Sequence, residues 1–420
     1  MERCSVGRIT SAAQQVMSAT VNSGGPLAGV RVLDLTSVLM GPFATQLLGD
    51  MGADVVKVES PSGDTSRGIG PMRNPGMGAG FLHVNRNKRS ACIDLKNPAG
   101  REVLLELARG ADILVYNVRP AAMRRLKLGY EDLVAVNPKI IYAGVVGYGQ
   151  TGPYAALPAY DDLIQGVAGV PSLLATVSDG VPRYVPMAFV DRTVGLAAVN
   201  AITAALYQRE RTGRGQSIEV PMFETMVPFV MGEHMAGQTF VPPLGPAGYP
   251  RLLAPERRPY QTSDGHVCAL VYTDRQWRSF YEITGRGPAY DSDPRVVDIG
   301  VRTRHIGELC ADNARHFITD TTANWLRRLN EVDIPCMPLN TLESLPTDPQ
   351  LLASGFFETV DHPSEGRIVQ MRLPATTSEA ARSTMLPAPR LGEHTREILT
   401  EIGLDAARID ALAAAGAVRQ

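Results

Sequence analysis

The sequence predicts an α/β protein: a Rossmann-like large domain with a mostly parallel sheet, and a smaller α+β domain. Two observations carry this. Short apolar, β-branched runs alternate with helical stretches from Gly29 to about Val146, the pattern of strands buried under crossover helices. A Pro- and Gly-rich stretch near 232–259, containing Phe240-Val-Pro-Pro-Leu-Gly-Pro-Ala-Gly248, then separates this region from a second series of elements. The 420 residues leave room for roughly two to three domains. We place the boundaries at 1–24 (a flexible lead-in, with Met17 as an alternative start), 25–225, 226–345 and 346–420, the last returning to the large domain.

In order, Val30–Thr36 reads as a strand and Pro42–Met51 as a helix with proline tolerated in its first turn. Asp54–Glu59 and Ser90–Leu95 are further strands, and Asn97-Pro98 opens a helix running through Leu107. Ala111–Asn117 and Lys139–Val146 continue the sheet. The run Val185-Pro-Met-Ala-Phe-Val-Asp191 leads into the helix Gly195–Tyr207, apolar on nearly every side, which stops at the glycines of Arg211-Thr-Gly-Arg-Gly-Gln216. Gln216–Val220 is a strand and Tyr260–Leu270 a hairpin. Helices follow at 274–284 and 322–332, and Leu391–Ile402 is an amphipathic helix. No internal repeat is visible.

The composition is that of a globular protein, with 44% hydrophobic and 20% charged residues. A net charge of −2 gives no general attraction to nucleic acid, so an anionic ligand must be met by local cations. Five scattered cysteines lack zinc-ligand spacing and read as reduced thiols in a cytoplasmic protein, without a metal. No stretch reads as about 20 consecutive apolar residues, so no membrane partner is expected.

Motifs exclude more than they assign. The first strand–helix turn, Thr36-Ser-Val-Leu-Met-Gly-Pro42, has no G-x-G-x-x-G, although Glu59 ends the second strand where a ribose-binding acid would sit. Walker-type and G-x-S-x-G motifs are absent. Two basic clusters, Asn85-Arg-Asn-Lys-Arg89 and Asn117-Val-Arg-Pro120 with Arg124 and Arg125, flank strands of one sheet. They read either as solvated faces or as a shared phosphate site. Asp191, just before a long helix, reads either as an N-cap or as a carboxylate nucleophile, ionised at neutral pH by its ordinary pKa of about 3.9. His394 reads as helix-start structure. His234 is either packing or an acyl-site residue. Arg251, Arg257 and Arg258 are either a solvated loop or a carboxylate receptor.

Several segments together, in order along nearly the whole chain, resemble the class III coenzyme A transferases and their relative α-methylacyl-CoA racemase. They are Gly25-Pro-Leu-Ala-Gly-Val-Arg-Val-Leu-Asp-Leu35, Gly41-Pro-Phe-Ala-Thr-Gln46, Gly52-Ala-Asp-Val-Val-Lys-Val-Glu59, Asn87-Lys-Arg-Ser90, Gly129-Tyr-Glu-Asp-Leu133, Arg211-Thr-Gly-Arg-Gly-Gln216 and Leu391-Gly-Glu-His-Thr395. The resemblance implies an interlocked-ring homodimer that uses acyl-CoA and a carboxylic acid as substrates, with Asp191 as nucleophile. It implies a nucleotide site at Ile93, Asp94, Leu95, Lys96, Asn117, Val118, Arg119 and Arg125, and a thioester end at Leu39, Met40 and Tyr160. The racemase branch carries a histidine where this chain has Tyr160, so the second proton-transfer base is missing. The oxalate branch has Gln at Leu39, Arg at Ser60 and a Gly-rich loop for which no run stands near Pro259. The implied activity is CoA transfer to an organic acid; the alternatives are a 2-methylacyl-CoA racemase and a catalytically silent CoA-binding protein.

Overall fold

The structure is a computed structural model and describes residues 24–375, 378–379 and 385–420. The lead-in at 1–23 lies outside the described residues. The described chain divides into two compact units. One holds residues up to Ile164, Ala188–Met226 and Phe356–Gln420; the other holds Gln165–Met187 and Val227–Gly355.

The first unit is built on a seven-stranded sheet. Its strands are β1 (Arg31–Leu35), β2 (Asp54–Glu59), β3 (Lys88–Ile93), β4 (Ile113–Tyr116), β5 (Ile141–Val146) and β6 (Gln216–Pro221), closed by a short C-terminal strand at Val418–Arg419. The spatial order runs from the C-terminal strand through β3, β2, β1, β4 and β5 to β6; every pairing is parallel except that of Val418–Arg419 with β3. The order reverses between β1 and β4, and in open parallel sheets that is where ligands enter, at the strands' carboxyl ends.

The helices of this unit are α1 (Met40–Asp50), α2 (Ala79–Leu82), α3 (Pro98–Arg109), α4 (Pro120–Arg125), α5 (Tyr130–Val136), the start of α6 (Asp161–Val167) and α8 (Phe189–Thr212), while α7 (Val170–Thr176) belongs to the second unit. Alternation along each strand sorts the faces. Leu33, Val56, Ala91, Ile93 and Leu114 face a core with α3, α5 and the C-terminal helices at 395–401 and 406–414. The opposite face carries Asp34, Lys57 and Lys88 beneath α1, while α8 packs on α1, β5 and β6.

Those buried charges explain two differences from the sequence reading. The strand β3 begins at Lys88 rather than Ser90, because Lys88 is buried and paired with Asp34 at 2.9 Å. The cluster at 85–89 is buried, neither a solvated face nor an anion site. Arg86 bonds Asp50, and Arg89 bonds Asp54, Glu397 and Glu401.

The helix α8 also departs from expectation. By length and composition it is long and apolar enough to cross a membrane. One stripe of it is buried, through Val190, Val194, Ala198, Ile202 and Leu206, while Leu196 and Tyr207 stand exposed. The C-terminal helix is shorter than predicted, Thr395–Glu401. Gly392, at φ 71°, turns the chain before it, and its N–H donates to Ser90.

The second unit has a three-stranded antiparallel sheet (Tyr260–Gln261, His266–Ala269, Cys336–Pro338) and an aromatic core of Trp277, Phe280, Tyr281, Phe317 and Trp325. In it, His234 is buried, and its Nδ1 accepts the Tyr249 N–H at 3.1 Å, a structural role. Arg257 and Arg258 are exposed, the solvated alternative.

Candidate active site

The loop from β1 to α1 forms one wall of the carboxyl edge. Val38 holds φ 70°, a left-handed conformation that a β-branched residue adopts only under constraint. The constraint is visible. The Val38 N–H donates to both Asp64 carboxylate oxygens at 3.1 and 3.2 Å. The Lys57 ammonium donates to the Thr36 carbonyl at 2.9 Å and to Asp64 at 3.0 Å. Asp34 accepts from the Thr36 N–H at 2.9 Å and the Thr45 hydroxyl at 2.7 Å. Burial alone would raise the Asp34 carboxyl, but Lys88 and Lys57 outweigh it and hold it well below the usual carboxylate range.

Across the topological switch, the Asn117 amide uses both ends on this loop. Its Oδ1 accepts from Ser37 N–H at 3.0 Å and its Nδ2 donates to the Ser37 carbonyl at 2.8 Å. Asn117 therefore joins the β1 and β4 loops. Leu39 is the N-cap of α1 and Met40 its first residue, two positions before the proline-first start read from the sequence. Gly41 makes that start possible, since a Cβ there would lie 2.4 Å from the Thr36 side chain.

Asp191 is not the N-cap of α8. Ala188 is, and Asp191 is the third helical residue. Its own N–H, one of the unpaired donors of a first turn, is taken by Asp161 Oδ1 at 2.8 Å. One turn on, Gly195 lets α8 approach α1: a Cβ there would meet Phe43 Cδ1 at 2.9 Å and the Met40 carbonyl at 3.1 Å. Asp191 thus stands one turn before the point where α8 meets Met40 and Phe43 of α1. Burial, then the Asp161 charge, push its carboxyl up to about 7; Arg192 opposes this and Asp162 adds to it. The expectation of a carboxyl fully ionised at neutral pH is corrected accordingly.

The remaining predicted positions fall along the same edge to different degrees. Arg119 and Arg125 are exposed at and just beyond the end of β4, with Val118 between Arg119 and Asn117. Asp94, Leu95 and Lys96 follow β3, three strands from β4 in the sheet. Lys96 is exposed, Asp94 accepts the Lys96 N–H at 3.0 Å, and Leu95 packs partly on the core. Ile93 is fully buried in that core, so its side chain cannot line a ligand. Tyr160 is 67% exposed and immediately precedes Asp161. Glu59, the sequence candidate for a ribose acid, is bound by Arg67 at 2.7 Å and Ser90 at 2.9 Å. His394 is structural, its Nδ1 accepting the Ser90 N–H at 3.2 Å. Among the described residues no His, Cys, Asp and Glu group is arranged to hold a metal ion.

With this geometry in view, the profile of CoA-transferase family III matches residues 27–395. The chain belongs to CoA-transferase family III. A mouse relative, succinyl-CoA:glutarate CoA-transferase, is 35% identical, with 94% of this chain and 91% of that protein covered. The formyl-CoA:oxalate CoA-transferase of Bradyrhizobium sp. is 32% identical, covering 90% and 93%. Among solved structures, a CAIB/BAIF family protein from Brucella suis superposes with a TM-score of 0.74 at 31% identity, covering 90% of this chain and all (100%) of that one. This family III CoA-transferase therefore uses CoA thioester chemistry, and its mixed α/β fold with a mostly parallel sheet agrees with that neighbour.

Two residues beside Asp191, Asp161 and Arg192, escaped the sequence reading, as did His83, which feels the Arg192 charge. Asp161 and Arg192 adjoin Tyr160 and Asp191, the only signal the sequence offered. His83 carries none; its place becomes visible only once α2 is folded against the Arg86 and Arg192 charges.

Proposed function

We propose that this transferase moves CoA from an acyl-CoA to an organic-acid carboxylate by covalent catalysis at Asp191. The observation that carries the reading is Asp191 in the first turn of α8, whose N–H the Asp161 carboxylate holds at 2.8 Å; burial and that neighbouring charge raise its carboxyl to about 7. A carboxyl tuned near working pH is more basic than a free one yet keeps a large ionised fraction.

The Asp191 carboxylate attacks the donor thioester carbonyl; a C–O bond forms, the C–S bond breaks, and CoA thiolate leaves a mixed anhydride. The thiolate attacks the Asp191 carbonyl, giving an aspartyl-CoA thioester and releasing the donor acid. The acceptor carboxylate then attacks that thioester, forming a second anhydride and freeing the thiolate. Attack of the thiolate on the acceptor acyl carbon yields the new acyl-CoA and restores Asp191. Division into these steps replaces one difficult exchange between two poor electrophiles.

The exposed cations Lys96, Arg119 and Arg125 suit the phosphates of CoA. Leu39, Met40 and Tyr160 suit the thioester end. The relatives named above act on succinyl-CoA with glutarate and on formyl-CoA with oxalate, which supports small organic acids here. A homodimer in the cytoplasm goes with this reading. The test is a screen of acyl-CoA donors against carboxylates with wild-type enzyme and Asp191→Ala. Turnover that needs Asp191, in a variant that still unfolds cooperatively, supports the proposal. Retained turnover in Asp191→Ala refutes it.

A further inference from the structure

Arg192 is unusual among the arginines of its unit. Arg67, Arg86 and Arg89 are buried and paired with carboxylates at 2.5–2.8 Å. Arg192 is half-buried, its guanidinium lies over the Phe43 ring at 4.3 Å, and its side chain makes no hydrogen bond or ion pair with any described residue. Aromatic stacking steadies a guanidinium while leaving its N–H edge available. The charges it feels are Asp191 and Arg86, and the latter is committed to Asp50. Within reach of its charge is His83, whose Nδ1 is buried and also without a hydrogen-bond partner among the described residues.

Charge accounting through the reaction gives these groups a purpose. Once Asp191 is an aspartyl-CoA thioester it carries no charge. Arg192 then has lost its one negative neighbour at the moment when the acceptor must bind. Burial already disfavours its cation, so an arriving anion is strongly favoured. Pairing with the attacking carboxylate would quench that carboxylate's nucleophilicity. Pairing with a second, non-reacting carboxylate would hold the acceptor without that penalty, and would place binding energy away from the reacting centre.

Building on the Asp191 reading, we propose that Arg192, aided by His83, receives the non-reacting carboxylate of a short aliphatic dicarboxylate. It is thereby a specificity-determining residue that selects diacids over monoacids.

The test compares succinate and glutarate with butyrate and valerate as acceptors, in wild type, Arg192→Gln, Arg192→Lys and His83→Asn. The expected result is a diacid-to-monoacid ratio of kcat/KM that falls about 100-fold in Arg192→Gln, the scale of losing one partner of a buried charge pair. Arg192→Lys should recover part of it, and His83→Asn should fall about 5-fold. Calorimetric titration of glutarate into Asp191→Asn, with and without Arg192→Gln, reads binding without turnover and should show a matching loss. An unchanged ratio, with both acid classes falling together or neither falling, overturns the proposal. Failure of the underlying reading shows separately, as wild-type turnover that survives Asp191→Ala, and it overturns the proposal too.

Discussion

The Asp161 carboxylate accepts the backbone N–H of Asp191 at 2.8 Å, closing the first turn of α8 from thirty positions earlier in the chain. The same contact brings a negative charge to the Asp191 side chain and helps raise its carboxyl to about 7. One residue thus orients the helix start and tunes the acid that stands on it.

The two effects separate by mutation. Asp161→Asn keeps an acceptor oxygen but removes the charge. The acid limb of the kcat/KM profile, expected near pH 7 in wild type, should therefore move to lower pH. Asp161→Ala also loses the acceptor and should cost about 0.5–2 kcal/mol of stability. pH profiles and denaturant titrations read the two outcomes, and an acid limb unmoved in Asp161→Asn would contradict the assignment.

Asp191 should make stability depend on pH. Its folded pKa is raised, so its contribution is fully present below the ordinary value of 3.8 and is lost as pH rises through about 7. Asp191→Asn should accordingly be more stable than wild type at pH 8, by about 1–3 kcal/mol, with the gain shrinking towards pH 5. Thermal melts across that range check the sign.

The buried Lys88–Asp34 pair, at 2.9 Å beneath α1, supports the loop that places Leu39 and Met40. Lys88→Met leaves a buried carboxylate uncompensated and should cost about 3–5 kcal/mol, whereas Lys88→Met with Asp34→Leu should recover much of the loss. Urea unfolding of the single and double variants measures both; equal losses would mean that the pair's charge is not what the fold relies on.

Asn117 joins the β1 and β4 loops through both ends of its amide. Asn117→Ala should raise KM for acyl-CoA about 10-fold by freeing Ser37, while stability falls by only about 1–2 kcal/mol. Steady-state kinetics with varied acyl-CoA gives the answer.

Much of the sheet was legible because β4 and β5 are apolar runs buried on both faces, and β1 and β2 keep apolar cores around Asp34 and Lys57, patterns that sequence expresses directly. The beginning of β3 was not, because Lys88 and Arg89 look like surface residues until their carboxylate partners arrive from distant segments. The family motifs marked Asp191, yet local sequence misplaced it as a cap. Phe189 and Val190 extend the helix backwards, and the cap comes from Asp161 through the fold. The raised carboxyl was equally hidden, since burial and a neighbouring charge are properties of packing. Leu196 and Tyr207 made α8 look buried all round, although both are exposed.

The most direct test of the central claim is hydroxylamine trapping. Wild-type enzyme incubated with succinyl-CoA and quenched with hydroxylamine should carry a hydroxamate on Asp191, located by peptide mass spectrometry, and Asp161→Asn should carry it at the same place. An enzyme that turns over substrate while Asp191 remains unmodified would contradict the account.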